Sequence, residues 1–145
     1  MSERARVALC VARFYTELAE RLETGARAAL GEAGVNDVEV FEVPGAYELP
    51  LAAYYAANSG RFDAVVCLGA VIRGETDHYD YVAGEAAGGV ARAALATGVP
   101  VIFGILTCDT LEQALDRAGA KGGNKGFDAA LTAVEMVNLF RQLPK

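Results

Sequence analysis

His78 is the chain's only histidine, and imidazole is the side chain that gains and loses a proton near neutral pH. It follows a glycine-containing turn at the end of an apolar run, where it is placed to act as a general acid or base. A structural or surface role is the competing reading for any lone histidine. The residues before it, Gly74-Glu75-Thr76, lead into a helical pattern. Unpaired N–H groups and the positive end of a helix dipole favour an anion there; an ordinary cap by Thr76 or Asp77 explains the same residues. Arg117, Lys121 and Lys125 are candidate cations for such an anion. Each also reads as a solvated surface charge, and Lys125 stands i,i+3 to Asp128, close enough to pair on a helix. Phe14 and Tyr47 offer rings on which a flat heteroaromatic ligand could stack. Glu48, beside Tyr47, can bond sugar or polyol hydroxyls or simply serve as a first-turn helix acid.

These residues come together only if the chain brings them to one edge, and its pattern does so. Apolar runs at 6–12, 37–43, 64–72 and 100–107 read as strands, the third almost wholly apolar as a central parallel strand should be. Helical periodicity occupies 17–33, 46–59, 78–97 and 110–118, and a last helix begins near Asn124. In the first helix Leu18, Leu22, Ala26, Ala29 and Leu30 share a stripe. Such alternation predicts right-handed crossovers, a central four-stranded parallel sheet and helices on both faces: a three-layer α/β/α sandwich. Ligands in open sheets of this kind bind beyond the carboxyl ends of the strands. Phe14, Tyr47, Glu48, His78 and Asp109 all follow strand ends.

Composition narrows the function. The chain has 145 residues, 53% of them hydrophobic, which suits one domain with a real core. Its net charge of −6 argues against a large nucleic-acid surface. No apolar run approaches the ~20 residues of a membrane span. Met-Ser-Glu-Arg-Ala-Arg runs straight into a strand pattern without the layout of a signal peptide, and a cytoplasmic protein is expected. Cys10, Cys67 and Cys108 lie in or beside apolar runs without CxxC spacing, so buried thiols are expected rather than a disulfide framework or a zinc site.

Taken together and in order, four stretches resemble a known family: Ala12-Arg13-Phe14; Val43-Pro44-Gly45-Ala46-Tyr47-Glu48-Leu49-Pro50; the segment from Gly69 to Val82 that contains Gly74-Glu75-Thr76-Asp77-His78-Tyr79; and Phe103-Gly104-Ile105-Leu106-Thr107 through Asn124-Lys125-Gly126-Phe127-Asp128. The chain resembles the 6,7-dimethyl-8-ribityllumazine synthases of riboflavin biosynthesis over nearly its whole length, and the run ending at His78-Tyr79 is highly specific. The resemblance implies a flavodoxin-like fold and a transferase that condenses 5-amino-6-(D-ribitylamino)uracil with 3,4-dihydroxy-2-butanone 4-phosphate. It implies release of phosphate and water, with no metal or redox cofactor.

The same resemblance implies residue roles. His78 transfers protons and Phe14 stacks on the pyrimidine. Ala46, Tyr47 and Glu48 hold the ribityl chain, while Ala70, Val71 and Ile72 present mainly backbone groups to the pyrimidine edge. Glu75 and Thr76 border the butanone phosphate, with Arg117 as its main cation. Phe103 closes the pocket from an adjoining subunit, where Arg117 also faces the shared site; Lys125 and Asp128 stand nearby. Many members carry asparagine where Tyr15 follows the stacking aromatic. The family forms pentamers, some assembled into hollow shells, and the short turn from Gly119 to Asn124 leans towards a shell. An archaeal-type riboflavin synthase is the nearest enzyme alternative. A flavodoxin-like binding module fits less well, because Arg13-Phe14-Tyr15-Thr16-Glu17 stands where a flavodoxin has a Ser/Thr/Gly-rich phosphate loop.

Overall fold

The computed structural model describes residues 5–74, 78–119 and 123–144, with His78 described by its backbone alone. In chain order the elements are β1 (Arg6–Ala12), α1 (Thr16–Glu32), β2 (Asp37–Val43), a 3-10 turn (Ala46–Glu48), α2 (Leu49–Asn58), β3 (Ala64–Ile72), α3 (His78–Thr97), β4 (Val101–Cys108), α4 (Leu111–Arg117) and α5 (Lys125–Gln142). The strands at 6–12, 37–43 and 64–72 fall where their hydrophobic runs predict. The helix expected from 46 opens instead as the 3-10 turn. Pro50 has no N–H to donate and is tolerated only in the first turn of a helix, so the α-helical ladder starts at Leu49. The fourth strand is set one residue later than its apolar run suggests.

All pairings are parallel, and the strand order is β2-β1-β3-β4. β1 and β3 are central, which is why both are nearly continuous apolar runs. Side chains alternate across the sheet. Val7, Leu9 and Val11 join Val66 and Leu68 under α1, α4 and α5; Ala8, Cys10 and Ala12 join Val65 and Cys67 under α2 and α3. The predicted stripe of α1 is the buried one, with Leu18, Leu22, Ala26, Ala29 and Leu30 all inaccessible. All three cysteines are buried and unpaired by disulfides. Burial pushes the Cys10 thiol up to about 11 and the Cys67 thiol well above its ordinary value. Among the described residues no helix is long and apolar enough to cross a membrane.

Two residues lock α5 onto α1. The Oδ1 of Asn124 caps α5 by accepting from the Phe127 N–H at 3.0 Å, and its Nδ2 donates to the Arg21 and Ala118 carbonyls at 3.1 and 3.2 Å. Gly126 sits so close to the Leu22 backbone that a Cβ there would collide with it. Asn124→Ala is expected to destabilise the fold by about 1–3 kcal/mol through the lost cap and stranded carbonyls. Gly126→Ala is expected to destabilise it by about 1–3 kcal/mol through overpacking. Chemical denaturation checks both, and unchanged midpoints would contradict this account of the α1–α5 contact.

Candidate active site

The topology reverses between β1 and β3: the chain leaves β1 for β2 on one side and later crosses to β3 on the other. Helices diverge at such a point and open a crevice. A cleft of about 740 Å³ lies there, lined by residues that follow all four strands. Phe14 and Tyr15 come after β1, Gly45, Ala46 and Tyr47 after β2, and Asp109, Thr110 and Leu111 after β4. Ala70, Val71 and Ile72 form the end of β3, followed by Arg73 and Gly74, with Tyr79 and Val82 from α3.

The cleft floor has an unusual backbone. The ladder from β3 to β1 ends at Val11↔Leu68, whereas the ladder from β3 to β4 continues to Ile72↔Cys108. On its β1 side, β3 therefore has no strand partner among the described residues over Ala70-Val71-Ile72, the stretch that lines the cleft. Backbone donors and acceptors left at such an edge need a partner, and a planar ligand with polar edges can supply one. Phe14 stands at the rim with 74% of its surface exposed, and Tyr15 meets it edge to face, with centroids 4.9 Å apart. Tyr47 is also exposed, while Ala46 beside it is buried. Glu48 accepts the Gly45 N–H at 2.9 Å, which fixes the 3-10 turn that presents Tyr47.

Among the described residues of the cleft lining, Arg73 and Asp109 are the charged pair. Arg73 donates from Nε to the Asp109 carboxylate at 3.0 Å, and its guanidinium lies 4.4 Å from the Tyr79 ring centroid. The bond to Asp109 holds the Arg73 guanidinium above its ordinary value. Arg13, though it directly precedes Phe14, is engaged elsewhere, with ion pairs to Glu23 at 2.7 Å and Glu42 at 2.8 Å. Among the described residues no three histidine, cysteine, aspartate or glutamate side chains gather as metal ligands would.

The residues expected from the sequence divide into groups. Phe14, Ala46, Tyr47, Ala70, Val71 and Ile72 line the cleft together, with Glu48 bracing its rim. His78 begins α3 beside Tyr79. Glu75, Thr76 and Lys121 lie outside the described residues. Phe103 lies mid-strand in β4, opposite Cys67 and half-buried against the core under α2 and α3, away from the cleft of its own chain. Arg117 ends α4, where its Nη1 meets the Cys108 sulfur at 3.3 Å. Lys125 and Asp128 belong to the first turn of α5. None of these last four lines this chain's cleft. Arg73, Tyr79 and Asp109 line the cleft without being among the site residues expected from the sequence. Their signal was position: each stands directly after a strand or in the first turn of α3, at the edge where ligands bind.

Comparison with known proteins identifies a family. The model of the family described as 6,7-dimethyl-8-ribityllumazine synthase matches residues 4–141. The chain is 56% identical over 137 residues to the 6,7-dimethyl-8-ribityllumazine synthase of Syntrophus aciditrophicus (strain SB), covering 93% of this chain and 89% of that protein. It is 54% identical over 143 residues to the protein of that name from Desulfatibacillum aliphaticivorans, covering 97% and 92% of the two chains.

Proposed function

The chain belongs to the 6,7-dimethyl-8-ribityllumazine synthase family, and on that premise we propose that the strand-end cleft is where it makes the lumazine. It is a transferase of riboflavin biosynthesis. It condenses 5-amino-6-(D-ribitylamino)uracil with 3,4-dihydroxy-2-butanone 4-phosphate to give 6,7-dimethyl-8-ribityllumazine, phosphate and water. One observation carries the assignment of the site: an exposed phenylalanine, Phe14, lines the same cleft as Ala70-Val71-Ile72, the stretch of β3 that runs on past its ladder with β1. A pyrimidinedione has a flat face for the ring and alternating donors and acceptors for the edge. The cleft volume of about 740 Å³ is ample for both substrates.

In this assignment Phe14 stacks on the pyrimidine and residues 70–72 bond its polar edge. Ala46, Tyr47 and Glu48 hold the ribityl chain, Glu48 with the carboxylate oxygen not needed at Gly45. The substrate's primary amine attacks the ketone and a first water leaves to form an imine. Phosphate is then eliminated to leave an enol that tautomerises to a carbonyl, and the second amine attacks that carbonyl and closes the ring with loss of a second water. His78 moves the protons these steps require. Glu75 and Thr76 border the phosphate at the start of α3, where the helix dipole favours an anion. Holding two substrates in register supplies much of the rate.

The phosphate also needs a cation. Within the cleft lining, Arg73 is already committed to Asp109. Arg117 fills the need from a neighbouring copy, together with Phe103 to close the pocket and Lys125 and Asp128 in support. The protein on this account is a homopentamer with sites between subunits, assembled further into a 60-subunit icosahedral shell. Large exposed apolar side chains, among them Leu51, Tyr55, Tyr81 and Leu95, support burial against other copies. The chain acts as one domain over 1–145, takes small-molecule substrates rather than nucleic acid or membrane, and works in the cytoplasm, where three unpaired thiols stay reduced.

Mixing the protein with both substrates is expected to produce the absorbance of the lumazine. His78→Ala should slow its formation about 100-fold, and Arg117→Ala should raise the KM for the butanone phosphate about tenfold or more. Folded protein that gives no lumazine would contradict the assignment. Sedimentation velocity is expected to show particles of shell size. Pentamers alone would remove the shell, and a monomer would remove the shared site.

A further inference from the structure

We infer that Arg73 is a positioning residue: its guanidinium ties the end of β3, the β4–α4 loop and the first turn of α3 into one rigid rim, and so fixes where His78 stands. The tie has three parts. The Arg73 N–H donates to the Cys108 carbonyl at 2.8 Å, carrying the β3–β4 ladder one residue past the strand. Its Nε donates to Asp109 at 3.0 Å. Its guanidinium carbon lies over the Tyr79 ring, 4.4 Å from the centroid. A guanidinium can bond in its plane and stack on its face at once, which an ammonium cannot do with the same geometry.

The anchor at Asp109 is itself held. The Asp109 N–H donates to the Gln113 side chain at 2.9 Å, and Thr110 caps α4 by accepting the Gln113 N–H at 3.1 Å. The loop thus moves with α4, and Arg73 joins that unit to Tyr79, the neighbour of His78 at the start of α3. Arg73, Asp109 and Tyr79 all line the cleft. An exposed ion pair of this kind adds little to global stability. Its effect is local, on the angle at which the first turn of α3 meets the site.

The inference rests on the lumazine synthase reading only for its catalytic consequence, and two measurements keep the parts separate. The first is amide exchange in the intact protein without substrate. In Arg73→Ala and in Asp109→Ala, exchange in the first turn of α3 is expected to quicken about tenfold while β1 and β3 keep their protection. Unchanged exchange would overturn the tie. The second is steady-state turnover. Each variant should lose about tenfold in kcat, with the KM for ribitylaminouracil held within about twofold, because the groups that bind that substrate are untouched. The double variant should be no worse than either single one. Tyr79→Phe, which keeps the ring face, should lose much less than Tyr79→Leu. Additive losses would overturn the proposal. So would a rise in the butanone phosphate KM for Arg73→Ala with Asp109→Ala unaffected, which would make Arg73 a direct phosphate ligand. Wild-type protein that makes no lumazine fails the functional reading, while the exchange result still decides the tie.

Discussion

The ladder between β1 and β3 closes at Val11↔Leu68, while β3 runs on to Ile72 with β4 alone beside it. Backbone polar groups in a folded interior need partners, and here one edge of a central strand is left to find them in the cleft. The mismatch falls where the chain changes direction across the sheet, between the two central strands. The loops after β1 and β2 turn away there, carrying Phe14 and Tyr47 to the rim. The recognition surface is therefore made by strand lengths and topology first, and by side chains second.

Among the described residues the lining of the cleft is mostly apolar, and its arginine and aspartate are paired. Arg13, next to the stacking ring, is drawn off by Glu23 and Glu42, and Arg73 by Asp109. Burial works against the charge on Arg13, but its two carboxylate partners outweigh that and hold it above its ordinary value. On the proposed assignment a neutral heteroaromatic ring meets a ring and a backbone edge, and the charge needed for a phosphate comes from elsewhere. Arg117 lies outside the cleft of its own chain, which is the observation behind the proposal that it serves a neighbour's.

Much of this was legible in the residues themselves. The runs at 6–12, 37–43 and 64–72 are strands because apolar residues with Gly or Pro punctuation leave little alternative, and the stripe of α1 buries as its periodicity requires. Alternation of strand and helix led to the carboxyl edge, where six expected site residues do line one cleft. The unequal ladders were not legible, since register depends on how far two strands stay in step rather than on either sequence. Nor was the pairing of Arg73 with Asp109, residues 36 positions apart, because nothing local distinguishes a paired rim arginine from a solvated one. The start of α2 differs from the periodicity, which begins at 46, because Pro50 belongs in a first turn and the α-helix opens at Leu49.

The central claim is that the pyrimidine ring lies on Phe14 and along the unpaired edge of β3, and a crystal structure of the protein with the lumazine product bound tests it most directly. The account predicts the ring system stacked on Phe14, with its polar edge bonded to the backbone of residues 70–72. Product bound anywhere else, such as the hollow between Ala33 and Arg141 at the opposite end of the sheet, would contradict it.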